Sequence, residues 1–184
     1  ALKRNVFPLF NIEFISLMKE EQAQGIRIND PNNPGRCYFS GKGLDYPFSL
    51  HEPYASLLKQ TVAESQEQVR QMVEKCNQWL EACQLSFRLN VDAIREKYAR
   101  ELVRERHLAK ALRIEIAASG DASLQRELLK KLYGGREPQA DTANIPETEN
   151  EIRSMLLKSG GKAFVPEEDS AFMDLDTVIA MILD

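Results

Sequence analysis

The sequence predicts an α/β protein in which helices dominate. Two short runs near the start are dense in β-branched and aromatic residues. The middle carries an apolar seam at helical spacing, and cap and breaker residues cut the remainder into further helices. At 184 residues the chain suits one domain, or one domain with a small appendage. Its 43% apolar and 28% charged content is that of an ordinary globular protein.

Residues 6–18, VFPLFNIEFISLM, read as a buried strand interrupted by Glu13. The stretch NDPNNPG (29–35) is rich in turn formers, and RCYFSGKGL (36–44) reads as a second strand ending in a glycine-flanked turn. After an irregular 45–53 segment, Leu58, Val62, Ser65, Val69, Met72, Cys76, Trp79 and Cys83 alternate by four and three. That spacing lays one seam along a long helix, widened by Leu57, Val73 and Leu80. The seam is expected to pack inside a helical subdomain, with Trp79 substantially buried, rather than to act as a dimer zipper. Cys76 and Cys83 then read as small buried hydrophobes.

Asn90 is a good N-cap for a helix over 91–102, and a further helix over 104–118 ends near Gly120. Asp121 or Ser123 caps a fourth, which closes at Gly134–Gly135. Residues 134–148, GGREPQADTANIPET, read as a mobile polar linker. A short helix runs from Thr148 to the Gly160–Gly161 pair. KAFVP (162–166) reads as a short strand or extended segment, EEDSAFMD as a loop, and DLDTVIAMILD as the start of another helix. The start without Met and the stop in mid-helix pattern give the expectation of a piece of something longer.

A formal net charge of −4 weighs against a dedicated nucleic-acid binder without excluding one. Charge is nevertheless concentrated locally, since residues 95–113 hold seven Lys or Arg against three acidic residues. Three cysteines (Cys37, Cys76, Cys83), no CxxC pair and only His51 and His107 weigh against a structural zinc site. An odd cysteine count fits a reducing compartment, and no apolar run approaches the ~20 residues that cross a bilayer. The expected location is cytoplasmic.

Four stretches together resemble the PHP (polymerase and histidinol phosphatase) superfamily of metal-dependent phosphoesterases. FPLFNIEF resembles the family strand ending in Gly-x-Glu, and YFSGKGL resembles the following His-x-x-Gly-x-Gly strand. LNVDAIREKYARELVRERHLAKAL resembles the helical insertion with its Arg-Pro-His-x-Ala-x-x-Leu pattern. GKAFVPEEDSAFMDLDTVIAMILD resembles the segment that leads to a later Ala-His-Pro strand. Asn11 stands where glycine is usual, Tyr38 where the family has a metal-binding histidine, and Glu105 and Arg106 replace the arginine and proline before His107.

The resemblance implies part of a distorted βα barrel carrying a helical insertion. Residues 1–50 would supply barrel strands, 51–135 the insertion, and 136–184 a linker, a helix and the return to the barrel. It implies hydrolysis of a phosphate ester by a metal-activated water. Glu13 would be a ligand to divalent ions (zinc, manganese, magnesium or iron). Arg104, Arg106 and His107 would hold the phosphate of a small phosphorylated substrate or nucleotide.

Read for themselves, these residues leave alternatives open. A carboxylate at Glu13 inside an apolar run needs a cation, a hydrogen-bond network or exposure at a strand end. Arg100, Arg104 and His107, spaced four and three, share one face if a helix continues through Val103. That face suits a phosphate, or it is a solvated face balanced by Glu101 and Glu105. Lys42 between Gly41 and Gly43 lacks P-loop spacing and reads as a plain turn. The competing functional expectation is a non-catalytic helical interaction module, or a degenerate PHP-like protein, that uses the 58–83 seam or the basic 95–113 face.

Overall fold

The computed structural model describes residues 9–44 and 49–184, so positions 6–8 of the first expected strand and 45–48 of the irregular segment lie outside the described residues. Two strands, β1 (Phe10–Leu17) and β2 (Arg36–Leu44), are accompanied by seven helices. These are α1 (Lys19–Ala23), α2 (Tyr54–Ala82), α3 (Val91–Tyr98), α4 (Glu105–Ala118), α5 (Ala122–Leu132), α6 (Ile145–Ile152) and α7 (Leu175–Leu183). Contacts divide the chain into two compact units. One comprises residues up to Glu64 with Glu168–Asp184, and the other Ser65–Glu167. No helix among the described residues is long and apolar enough to cross a membrane.

In the first unit β1 and β2 pair antiparallel, from Phe10 opposite Leu44 to Leu17 opposite Arg36, as a two-stranded sheet. The expected βα barrel is therefore overturned: among the described residues there is no closed sheet and no third strand. Parallel barrel strands need a crossover of a dozen or more residues, usually a helix that packs on the sheet. Here the connection, residues 18–35, is long enough but holds only the five-residue α1 and a turn, with no helix to carry the chain across the sheet. Asp30, 4% exposed, organises that turn. Its carboxylate accepts hydrogen bonds from the Asn32 and Asn33 backbone N–H groups at 3.0 and 3.2 Å and from Asn33 Nδ2 at 2.9 Å. The chain reverses there, so its neighbour runs back alongside it.

The sheet buries one face. Phe14 joins Met173, Val178 and Met181 in a small core, with Ile12, Phe39, Leu57, Leu58 and Ile182 against it. Glycine is required at position 41, where a Cβ would stand 2.5 Å from Ile182 Cγ2 of α7. Period-two alternation turns Glu13 to the other, exposed face.

The second unit is helical. Val69, Met72, Val73, Cys76 and Leu80 of α2 share a core with Ile94 of α3, Leu108 and Leu112 of α4, and Leu129 and Leu132 of α5. One seam thus feeds two cores, with Leu57 and Leu58 in the first unit and Val69 onward in the second. Trp79 is half-buried, because its indole N–H reaches out to donate to Leu132 O at 2.7 Å. The caps at Asn90 and Asp121 fall where the sequence places them, accepting from the backbone N–H groups of Ala93 and Leu124, and Asp174 caps α7 in the same way by accepting from Thr177 N–H.

Two expected features differ. Residues 162–166 form no strand; side chains of α2 satisfy their carbonyls, with Lys75 Nζ donating to Phe164 O at 3.0 Å and Gln68 Nε2 to Val165 O at 2.8 Å. The stretch expected to be a mobile linker is pinned. Glu151 Oε1 accepts from Gln139 N–H at 2.7 Å, and Oε2 accepts from Ala140 N–H at 3.2 Å and the Tyr133 hydroxyl at 3.4 Å. Arg126 Nη2 donates to Pro138 O at 2.7 Å. Burial and the neighbouring Glu151 carboxylate both push the Tyr133 hydroxyl pKa up, so it remains a donor.

Glu151→Ala should release this segment, because two loop N–H groups lose their shared acceptor. The expected loss is about 1–3 kcal/mol of stability, together with faster limited proteolysis between Gly134 and Asn144. Unchanged cleavage in that segment would show that the clasp is incidental.

Candidate functional site

The chain around His107 is held by one buried side chain. Gln66 is 7% exposed and lies on the apolar side of α2. Its Oε1 accepts from Val103 N–H and its Nε2 donates to Val103 O, both at 3.1 Å. Val103 itself is fully buried. This pairing satisfies both polar groups of a backbone that has left the helix, which buried peptide groups require. Ala99 (φ −122°, ψ 152°) and Arg104 (φ −134°, ψ 164°) are extended, so α3 stops at Tyr98 and α4 starts at Glu105. No helix continues through Val103, and Arg100, Arg104 and His107 therefore do not share the face that their spacing predicts.

His107 instead caps α4. Its Nδ1 accepts the Arg104 backbone N–H at 3.0 Å, while the His107 backbone N–H donates to Arg104 O at 2.8 Å. An accepting Nδ1 places the proton of the neutral ring on Nε2. Burial lowers the imidazole pKa from its ordinary 6.5, and the adjacent Arg106 and Lys110 charges lower it further. The neutral, capping form is therefore the stable one near pH 7.

The break opens a cleft of about 530 Å³, bounded by residues 98–102 and by Arg106 and His107. Arg100 and Arg106 are exposed on its rim, and neither forms an ion pair among the described residues. Lys110 stands over the Tyr98 ring, 5.3 Å from its centroid. Glu101 is the one carboxylate on the cleft wall. Glu105, which could have balanced the basic face, is engaged elsewhere. Its Oε1 accepts from Arg153 Nη2 at 2.8 Å and Lys158 Nζ at 3.0 Å. Burial alone would raise its pKa, but these two cations hold it down to about 2. The cleft is left with a positive excess.

Of the residues selected from sequence, Arg106 and His107 line this cleft. Arg104 does not; its Nη1 donates to Ser65 Oγ at 3.2 Å. Arg100, which the spacing groups with Arg104 and His107, also lines the cleft; Tyr98, read from sequence only as part of the apolar side of its helix, lines it too. The signal for Gln66 was present: it continues the row Val62, Val69, Val73 at helical spacing, and a polar residue in an apolar row marks a buried polar partner.

Glu13 belongs to the other unit. Its Oε1 accepts from Asn11 Nδ2 at 3.4 Å. Tyr38 is 53% exposed, with its backbone N–H and carbonyl held by the Asn29 side chain at 2.7 and 2.9 Å. No group of three or more His, Cys, Asp or Glu among the described residues is arranged to hold a metal ion. A hard cation needs several fixed oxygen or nitrogen donors, and the described residues around Glu13 do not by themselves supply them. A smaller cleft of about 320 Å³ lies beside Leu17, Met173 and Thr177. Its Thr177 hydroxyl is committed to Asp174 Oδ2 at 2.6 Å in the cap of α7.

His107→Ala should remove the Nδ1 half of this cap, the backbone bond to Arg104 O remaining, at a cost of about 0.5–2 kcal/mol. The folded-state pKa lies below the unfolded 6.5, so the folded state resists protonation. The stabilisation is then complete above about pH 6.5 and is lost as pH falls through the folded pKa. Urea unfolding between pH 7.5 and 5 should show this fall in the wild type and a shallower one in His107→Ala. Equal slopes would refute the capping role.

No protein-family model, curated protein or solved structure matches this chain. A functional reading therefore rests on the geometry of the cleft.

Proposed function

We propose that the chain is a non-catalytic helical interaction module whose α3–α4 cleft takes a phosphate-bearing ligand, either a small phosphorylated molecule or a nucleotide. One observation carries this reading: Arg100 and Arg106 flank a cleft whose wall holds the single carboxylate of Glu101 and form no ion pair among the described residues, while the other candidate surface, the α2 seam, is consumed in the core. Guanidinium groups offer planar paired donors that match phosphate oxygens. Tyr98 adds an aromatic edge to the same cleft. The three thiols at Cys37, Cys76 and Cys83 are free, which suits a reducing, cytoplasmic setting.

A metal-dependent phosphoesterase is the second reading. What favours it is that His107, which matches the histidine of the PHP-like insertion pattern, and Arg106, which stands in place of that pattern's proline, line one cleft. It would require a divalent ion and ligands additional to Glu13.

Titrating phosphate and ADP into the protein by calorimetry tests both readings. Binding should weaken roughly tenfold or more in Arg100→Glu/Arg106→Glu, since charged hydrogen bonds contribute about 1.5–3 kcal/mol each. Binding should be unchanged in Arg136→Glu, an exposed cation away from the cleft. Equal affinity in the cleft variant would sink the proposal. No turnover of a generic phosphate monoester is expected with manganese, magnesium or zinc. Turnover that is lost in Glu13→Gln would instead establish the second reading.

A further inference from the structure

The outer edge of β1 carries an inference of its own. In an antiparallel pair the backbone polar groups of successive residues point alternately to the partner strand and away from it. Two observations fix the phase. The Tyr38 N–H and carbonyl point outward from β2 to Asn29, so Ile15, opposite Tyr38, also turns its polar groups outward. Leu17, two residues on, donates its N–H outward to Met173 O at 2.9 Å. By the same alternation Glu13 and Asn11 face outward. Their N–H and carbonyl groups, and those of Ile15, meet no partner among the described residues. Leu17 shows that this edge can accept a neighbouring chain, and the positions before it are open.

The charge on this edge selects the occupant. Glu13 is exposed between Asn11 and Ile15. The described residues of its unit hold five Lys or Arg against eleven Asp or Glu. A strand added to the edge would set a side chain directly opposite Glu13 on the same face, where opposite charges attract across strands and like charges repel. Pairing with a second copy would bring the Glu13 carboxylates of both chains onto one pair of strands, which works against it. On the other face, an incoming side chain would lie beside Ile12 and Phe14 and should be apolar.

We propose that the β1 edge docks an extended basic peptide segment, alternating Lys or Arg with apolar residues, by strand addition at Asn11, Glu13 and Ile15. Affinity comes from main-chain hydrogen bonds and selectivity from the Glu13 carboxylate.

The test uses the full chain and two fluorescein-labelled peptides, Thr-Lys-Val-Lys-Val-Lys-Thr and its counterpart with Glu for Lys, read by anisotropy. The Lys peptide should bind saturably and the Glu peptide should not. Ile15→Pro removes one outward N–H and none from the β1–β2 ladder, a change that edge strands tolerate. It should weaken binding roughly tenfold or more without altering the unfolding midpoint. Should that variant fold poorly, Glu13→Lys decides, since it should reverse the preference toward the Glu peptide. The proposal is overturned if the Lys peptide does not bind, or if it binds folded Ile15→Pro or Glu13→Lys as well as wild type. Wild-type self-association by sedimentation that disappears in Ile15→Pro would assign the edge to a second copy and overturn it equally.

Discussion

The helical unit and its cleft depend on one amide bonded twice to one peptide. Gln66 gives Val103 what a neighbouring strand would give, an acceptor for its N–H and a donor for its carbonyl, at a point from which solvent is excluded. Leaving either backbone group unpaired there would cost about 1–3 kcal/mol. With both satisfied, Val103 can enter the core while its neighbours remain extended, and the chain can change direction between α3 and α4. Everything at the cleft follows from that change. Arg100 stays with the turn, Arg106 and His107 begin a new helix, and Glu105 turns away to Arg153 and Lys158.

The same geometry sorts the charges. Seven cations in residues 95–113 suggest a broadly basic surface, yet several are neutralised locally. Arg95 pairs with Asp92 at 2.7 Å and Arg113 with Glu149 at 3.1 Å. Arg104 bonds Ser65, and Lys110 lies over Tyr98. Exposed pairs such as Arg95–Asp92 contribute little stability, but they do remove charge from the field that an approaching ligand meets. What survives is focal rather than diffuse, and it sits at the helix break.

Local features were legible in the sequence, and relations between distant segments were not. The bounds of β2, the course of α2 and the caps at Asn90 and Asp121 follow from residue types within a few positions. The antiparallel sense of the sheet does not, because a strand pattern carries no direction; the Asp30 turn and the lack of a crossover helix between the strands decide it. Nor does the end of α2, where Gln84 takes a left-handed φ of 57° that the absence of glycine gave no reason to expect. Glu13 was read inside a buried strand, where a cation, a hydrogen-bond network or exposure would have to compensate it. Alternation with Ile12 and Phe14 places it on the open face, which is the exposure alternative. At the candidate site, the types and rough spacing of Arg106 and His107 were visible. The helix break that separates Arg100 and Arg104 from their expected face was not, since it is enforced by Gln66 from 37 positions away.

His107 is both a helix cap and part of the cleft wall, and the two roles compete for one proton. As a cap the ring must keep Nδ1 bare to accept from Arg104, and burial with the Arg106 and Lys110 charges favours that state. An anion in the cleft would reverse the local field and favour the imidazolium, which has no acceptor to offer. Filling the cleft with a phosphate therefore works against the first turn of α4 through the same side chain. A ligand with a single negative charge perturbs that balance less than a dianion does. The proposed anion affinity would therefore rest on the guanidinium groups of Arg100 and Arg106 rather than on the imidazole.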